Sequence, residues 1–210
     1  MPPNHPDPGA VTELRRRDPV LAEAMDRTPP FPGFPDRARR GSHFHALARA
    51  IVYQQLAGSA AAAIYGRVRN LTPGSGFPTA EQCLAISDQG FRAAGLSRAK
   101  TRSIKDLAQR VASGEIDLKS VARRSDEEVI EGLTRVWGIG EWSAQIFLMF
   151  RLGRLDVMPS GDLGVREGLK RLDGLEDRPP PSAVMERAEV WRPLRSVAAW
   201  VLWRLTDAEA

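Results

Sequence analysis

Asp162 and the glycine pair Gly138 and Gly140 are the residues of this chain whose types and spacing point to chemistry. The run V136-W-G-I-G-E-W-S-A-Q145 sets two glycines between helical stretches, and 22 residues past Gly140 the run M158-P-S-G-D-L-G164 presents a lone carboxylate. So short a turn between helices demands positive φ or close backbone approach, and glycine allows both. It also leaves the amides at the start of the next helix uncovered, so a phosphate oxygen can sit against them along the helix dipole. A plain αα-hairpin with glycine caps accounts for the same residues. Asp162, after Pro159-Ser160-Gly161 and before an apolar helical stretch, is by type an N-cap. The helix dipole favours negative charge at that place, and an ionised carboxylate can stabilise a sugar cation or orient an attacking water. Cap and catalyst are compatible roles if the carboxylate faces a cleft.

The elements that must position these groups read as helices almost throughout. Residues 1–9 are Pro-rich and expected to be a disordered tail, with one domain over 10–207. A short helix is expected near Val11–Arg17, and T28-P-P-F-P-G-F-P35 is a non-helical connecting arm. F44-H-A-L-A-R-A-I-V-Y-Q-Q-L-A57 sets Phe44, Leu47, Ala48, Ile51 and Leu56 near one helical face. Gly58 interrupts it, and a Ser59-capped helix is expected next. Thr79 with Gln82, and Ser125 with Glu128, are capping boxes. Helices are expected over 97–111, 125–136, 142–151, 162–172 and 191–205, with a Pro-rich linker at 178–181. Alternating strand patterns and internal repeats are missing from the sequence, so the expectation is an all-α fold of roughly 9–11 short helices.

Composition narrows the class. The 210 residues are 42% hydrophobic and 27% charged, a globular balance, with a net charge of +4 and a pI of 9.7. Of 30 basic residues only Lys100, Lys105, Lys119 and Lys170 are lysines. Arginine suits bidentate phosphate contact, and basicity is compatible with a nucleic-acid partner. The lone Cys83 excludes an internal disulfide and a cysteine-ligated iron–sulfur cluster. His43 and His45, two residues apart, are poorly spaced for a metal on a helix, and no metal site is expected. No apolar stretch approaches the roughly 20 residues that span a bilayer. The first residues carry prolines where a signal peptide needs an apolar core, so the expectation is a cytoplasmic protein with no membrane contact.

Taken together, the hairpin and the Asp162 turn resemble the helix-hairpin-helix DNA glycosylase superfamily. Within it the chain is similar to the alkylpurine (3-methyladenine) DNA glycosylase II branch. Three more stretches carry that likeness: A50-I-V-Y-Q-Q-L-A57, G95-L-S-R-A-K-T-R-S-I-K-D-L107 and W191-R-P-L-R-S196. The resemblance covers about residues 10–205, and five ordered landmarks are far more specific than any one of them. It implies two helical lobes around a cleft, with the hairpin at about 125–151 and Leu133 to Ala144 as its DNA-binding part. Gly138 and Gly140 would offer amides to a phosphate, with Ser143 also contacting DNA. Hairpin carbonyls would be able to hold a monovalent cation, and no other cofactor is implied. Asp162 would be the catalytic carboxylate. Trp142 and Trp203 would flank the extruded base, and Gln55 and Leu56 would fill the gap it leaves in the duplex. Core packing is the alternative for both tryptophans. Tyr53 would line the base pocket or pack the core, and Asp156 matches an acidic position taken as structural. The chain contains nothing that could form the β-rich N-terminal lobe of some family members, and its Met-Pro-Ser-Gly-Asp turn differs by a residue from some family forms.

The chemistry implied is hydrolysis of the N-glycosidic bond of alkylated purines in double-stranded DNA by a monomer. An N3- or N7-alkylated purine already carries positive charge and can leave without a general acid, and an indole face attracts such a cation. Where strand-nicking members carry a lysine two residues after the second hairpin glycine, this chain has Trp142, so the expectation is a monofunctional enzyme. A non-catalytic hairpin DNA-binding module is the main alternative. Asp162 argues against it, because a binding module gains nothing from a carboxylate beside a phosphodiester backbone. The chain also lacks the cluster cysteines of the adenine-mismatch branch and the catalytic lysine of the oxidised-base branch.

Overall fold

Helix starts are written plainly in this chain. Asp7, Asp18, Ser42, Thr79, Ser87, Ser97, Ser125 and Asp162 each accept a backbone N–H from the first turn of the helix they precede. Caps of this kind contribute about 1 kcal/mol each. Both expected capping boxes form, Thr79 with Gln82 and Ser125 with Glu128. The computed structural model describes residues 5–34, 41–74 and 76–207.

Among the described residues there are twelve α-helices and no strand. They are α1 (Pro8–Arg17), α2 (Pro19–Arg27), α3 (His43–Tyr53), α4 (Gly58–Arg69), α5 (Ala80–Ala85), α6 (Asp88–Ala93), α7 (Arg98–Ala112), α8 (Asp126–Thr134), α9 (Glu141–Phe150), α10 (Leu163–Asp173), α11 (Pro181–Ala188) and α12 (Arg195–Asp207). The all-α expectation holds, with more helices than anticipated.

The differences are local and physical. The expected tail over 1–9 is cut short, because Asp7 caps a helix with Pro8 at its first position, where a missing N–H costs nothing; residues 1–4 lie outside the described residues, as does Pro35 of the connecting arm. Helix α2 was not anticipated, although Asp18-Pro19 is the same start signal. Ser59 is not a cap: Ala57 holds that place and Ser59 sits inside the first turn. Helix α3 ends at Tyr53, so Leu56 leaves the apolar face of the helix and is 39% exposed. Pro181 of the expected linker opens α11. The stretch expected as one helix over 191–205 is a 3₁₀ turn (Glu189–Trp191), a break at Pro193, and then α12.

The chain forms two compact units, Met1–Asp36 with Leu148–Ala210, and Arg37–Phe147. The first packs α2, α10 and α12 around Leu21, Val165, Leu169 and Leu202. Gly168 makes this packing possible, since a Cβ there would lie 2.2 Å from the Leu202 carbonyl oxygen. The W191-R-P-L-R-S196 landmark is its fastener. The Trp191 indole donates to buried Asp18 at 2.6 Å, Arg195 is bidentate on Asp156 at 2.8 and 3.1 Å, and the Ser196 hydroxyl binds the Val157 amide and carbonyl. Asp156 is therefore structural, as expected. The second unit centres on α7, whose Thr101, Ile104, Leu107 and Ala108 make one buried stripe against α3 and α5. Burying Ile104 and Leu107 fully stabilises by about 1.5–3 kcal/mol each.

Candidate functional site

Asp162 is the N-cap of α10 and half-buried, and its Oδ1 accepts two hydrogen bonds. One comes from the Val165 amide at 2.9 Å, the ordinary capping bond, and the other from the Trp203 indole N–H at 2.9 Å. The pair fixes the rotation of the carboxylate. Trp203 reaches it because Gly164, on the facing turn of α10, has no side chain: a Cβ would lie 2.9 Å from Trp203 Cδ1 and 3.1 Å from Asp162 Oδ1. The Trp203 ring also stacks on Phe150, with centroids 6.0 Å apart. Trp203 is thus both packed, on Phe150, and polar, on Asp162.

In the other unit, α8 and the part of α9 up to Phe147 make up most of the stretch expected as the hairpin, 125–151. Gly138 has φ +83°, which glycine tolerates and other residues rarely adopt. A Cβ there would also sit 2.4 Å from the Ser103 Oγ. Gly140 differs, since it has ordinary φ and nothing lies within 4 Å of a Cβ built on it. Its carbonyl accepts the Ala144 amide at 3.1 Å, so it stands at the start of α9. The first amides of a helix have no intrahelical acceptor, and Gly140 leaves the approach to them open. Trp142 is 46% exposed on the first turn of α9, beside half-buried Ser143. The turn is braced from α7: Asp106 accepts the Trp137 amide at 2.7 Å, and the Arg102 guanidinium lies 4.4 Å from the Trp137 ring centroid. Besides Gly140, other hairpin carbonyls already accept protein donors, among them Leu133 from the Val136 amide at 3.1 Å, Val136 from the Ile139 amide at 3.0 Å and Gly138 from the Gln54 side chain at 3.1 Å.

Gln55 and Leu56 lie in the turn after α3, both exposed. Gln55 has φ +53°, and it is the one non-glycine residue with positive φ among the described residues. Lys100 donates from its ammonium to the Val52 and Gln54 carbonyls, 2.7 Å each. Burial holds its pKa below the usual lysine value. Tyr53 is half-buried under Arg49, whose guanidinium carbon is 3.9 Å from the ring centroid, and meets Tyr65 edge-on. His43 and His45 meet Phe147 and Phe77 edge-on, respectively.

A model of the HhH-GPD superfamily base excision DNA repair proteins matches residues 48–193, which include the Gln54–Leu56 turn, the hairpin and Asp162. The chain belongs to the HhH-GPD superfamily. This HhH-GPD protein is 40% identical to DNA-3-methyladenine glycosylase 1 of Schizosaccharomyces pombe, over 77% of this chain and 71% of that one. It is 31% identical to the DNA-3-methyladenine glycosylase of Saccharomyces cerevisiae, over 79% of this chain and 67% of the yeast protein. Among solved structures it superposes on the S. pombe 3-methyladenine DNA glycosylase in complex with abasic DNA with a TM-score of 0.78 at 33% identity, covering 96% and 98% of the two chains. The Bacillus halodurans DNA-3-methyladenine glycosidase gives a TM-score of 0.84 at 34% identity, covering 96% and 91%.

Within this HhH-GPD protein the structure joins Asp162 to Trp203 in one unit and the Gln54–Leu56 turn to Gly138 in the other. Gln54, Lys100, Asp106, Gly164 and Gly168 hold these groups in place without a motif of their own in the sequence. Gln54, Lys100 and Asp106 lie inside the stretches that carried the resemblance, and Gly164 with Gly168 is a one-turn repeat of small residues. Their partners are remote in sequence, so neither signal named the contact.

Proposed function

We propose that this protein is a monofunctional DNA-3-methyladenine glycosylase of type II, hydrolysing the N-glycosidic bond of alkylated purines in double-stranded DNA to begin base excision repair. It acts as a monomer in the cytoplasm. The observation that carries the reading is the Asp162 carboxylate, held in one orientation at the start of α10 by the Val165 amide and the Trp203 indole.

The target base must leave the stack, at a cost of a few kcal/mol that is lower for a damaged pair. Leu56, an exposed apolar side chain on a fixed turn, enters the space the base leaves, as apolar wedges do at minor grooves. Gln55 lies beside it against the opposite strand. The hairpin holds the backbone through amides at the start of α9, with Gly138 and Gly140 allowing close approach and Ser143 adding a hydroxyl. A monovalent cation on the remaining hairpin carbonyls would add positive charge facing the phosphate. Trp142 offers an indole face to the cationic base, and Trp203 and Tyr53 supply aromatic surface in their own units.

The alkylated purine takes the bonding electron pair and departs neutral, leaving positive charge on the sugar. Asp162 stabilises that charge, and water adds to the anomeric carbon and gives up a proton to the carboxylate or solvent. Trp142, at the hairpin position where the resemblance implies a lysine in strand-nicking members, carries no amine, so water is the nucleophile. No helix of the described residues is long and apolar enough to cross a membrane.

The test is single-turnover base release from methylated duplex DNA, with the products resolved by chromatography. The wild-type protein should release 3-methyladenine, and Asp162→Asn should lose on the order of 10²-fold or more in rate while retaining duplex binding. Binding without release by the wild-type protein would instead assign the chain to a non-catalytic DNA-binding module.

A further inference from the structure

We propose that Lys100 and Gln54 are positioning residues that keep the Gln54–Leu56 turn preformed and lock it to the DNA-binding hairpin. The inference rests on the assignment of Leu56 as the residue that fills the duplex gap.

Helix α3 stops at Tyr53, and the last carbonyls of a helix have no partners within it. Lys100, in the first turn of α7, supplies them from 46–48 residues away with one ammonium donating to both Val52 O and Gln54 O. Hydrogen bonds from a charged donor are the strong kind, and a cation at a helix C-terminus is further favoured by the dipole. The chain then turns through Gln55 at φ +53°. Glutamine seldom adopts that conformation, which persists where the surroundings over-determine it. Here the surroundings are Lys100, on the Val52 and Gln54 carbonyls, and the Gly138 carbonyl, on the Gln54 side chain, which together fix the residues that lead into Gln55.

Gly138 is itself at positive φ, in the turn that faces the phosphate backbone. Two irregular turns 84 residues apart in sequence are thereby joined by a single amide hydrogen bond, within one compact unit. Leu56 is held exposed before any DNA arrives. A preformed wedge has no ordering cost to meet on binding, and its link to the hairpin places it at a fixed distance from the bound phosphate.

The test compares single-turnover excision from one alkylated oligonucleotide, as a duplex and as a single strand, across wild type, Lys100→Met, Lys100→Arg, Gln54→Met and Leu56→Ala. The single strand leaves no gap to fill, so its rate also reports whether each variant is folded and chemically competent. The duplex-to-single-strand rate ratio should fall about tenfold in Lys100→Met, which loses two charge-assisted bonds, and about threefold in Gln54→Met, which loses one neutral bond. Lys100→Arg, which keeps the charge and donors, should recover most of the ratio. Equal losses on both substrates, or an unchanged ratio in both Lys100→Met and Gln54→Met, would overturn the proposal. If Leu56→Ala lowers the ratio while those two variants leave it unchanged, only the positioning role fails. If Leu56→Ala leaves the ratio unchanged, the wedge assignment fails and this inference with it.

Discussion

The indole N–H of Trp203 donates to Oδ1 of Asp162 at 2.9 Å, across the packed pair of helices α10 and α12. That bond separates two roles for Trp203 that the sequence left together. Trp203→Phe keeps an aromatic face but removes the donor. A hydrogen bond to a charged group contributes about 1.5–3 kcal/mol, so single-turnover excision should slow about tenfold or more, with affinity for abasic-analogue DNA nearly unchanged. A wild-type rate in Trp203→Phe would leave the ring with a packing or stacking role alone.

Gly168 sets the distance between those helices. Gly168→Ala places a methyl where the Leu202 carbonyl oxygen now lies 2.2 Å from an ideal Cβ. Overpacking of this kind costs about 1–3 kcal/mol, and here it also moves the helix that carries Trp203. Urea denaturation should show the lost stability, and excision should slow further than stability alone explains. Unchanged stability would mean that α12 yields at no cost.

The two hairpin glycines should fail in different ways. Gly138→Ala forces a side chain into φ +83° and against Ser103, so it should lower the unfolding free energy by about 1–3 kcal/mol. Gly140→Val adds a Cβ that meets nothing within 4 Å in the protein. It should fold normally yet bind abasic-analogue DNA about tenfold more weakly, a loss of about 1.4 kcal/mol, because its side chain stands where a phosphate approaches. Thermal melts and fluorescence anisotropy on both variants separate the cases. Undiminished binding by folded Gly140→Val would make the hairpin a structural turn.

Strand cleavage should not accompany base release. An amine nucleophile is required for a Schiff base with the sugar, and Trp142 stands where the resemblance implies a lysine in strand-nicking members. Lys170 lies on α10 eight residues beyond Asp162, about 12 Å along the helix at 1.5 Å per residue. Borohydride added during turnover should trap no protein–DNA adduct, and denaturing gels should show breaks only after alkali. A robust adduct would contradict the monofunctional assignment.

Asp18 makes stability depend on acid. Burial raises its carboxyl pKa, but bonds from Arg187, the Leu21 amide and the Trp191 indole outweigh that, and the net shift is below the ordinary value of 3.8. A depressed folded-state pKa contributes stability that is present above the unfolded value and lost as pH falls through the folded one. Breaking such a buried pair costs about 3–5 kcal/mol. Asp18→Asn should therefore unfold at lower urea than wild type at pH 7, and the gap should narrow below about pH 4. A gap independent of pH would place the loss in packing rather than in charge.

Much of this protein was legible from sequence because the signals are local. The capping residues, the 3.6-residue apolar period of α7 and the paired glycines of the hairpin act within a few residues, and together they gave the all-α fold and marked the hairpin. Asp162 could be picked out because its cap position and its distance from the hairpin are both linear properties. What joins these pieces is not linear. Lys100 and Gln54 reach across 46–84 residues, Trp203 meets Asp162 across 41, and Trp191 meets Asp18 across 173. Hydrogen bonds of that reach have no periodic trace in a sequence, since either partner alone reads as an ordinary surface lysine, a glutamine or an apolar aromatic. Leu56 shows the same limit from the other side: its spacing matched the buried face of α3, and only where the helix stopped, at Tyr53, decided that it points into solvent. Helix ends set by remote donors such as Lys100 belong to the tertiary structure, because the bond that terminates the helix is made by another helix.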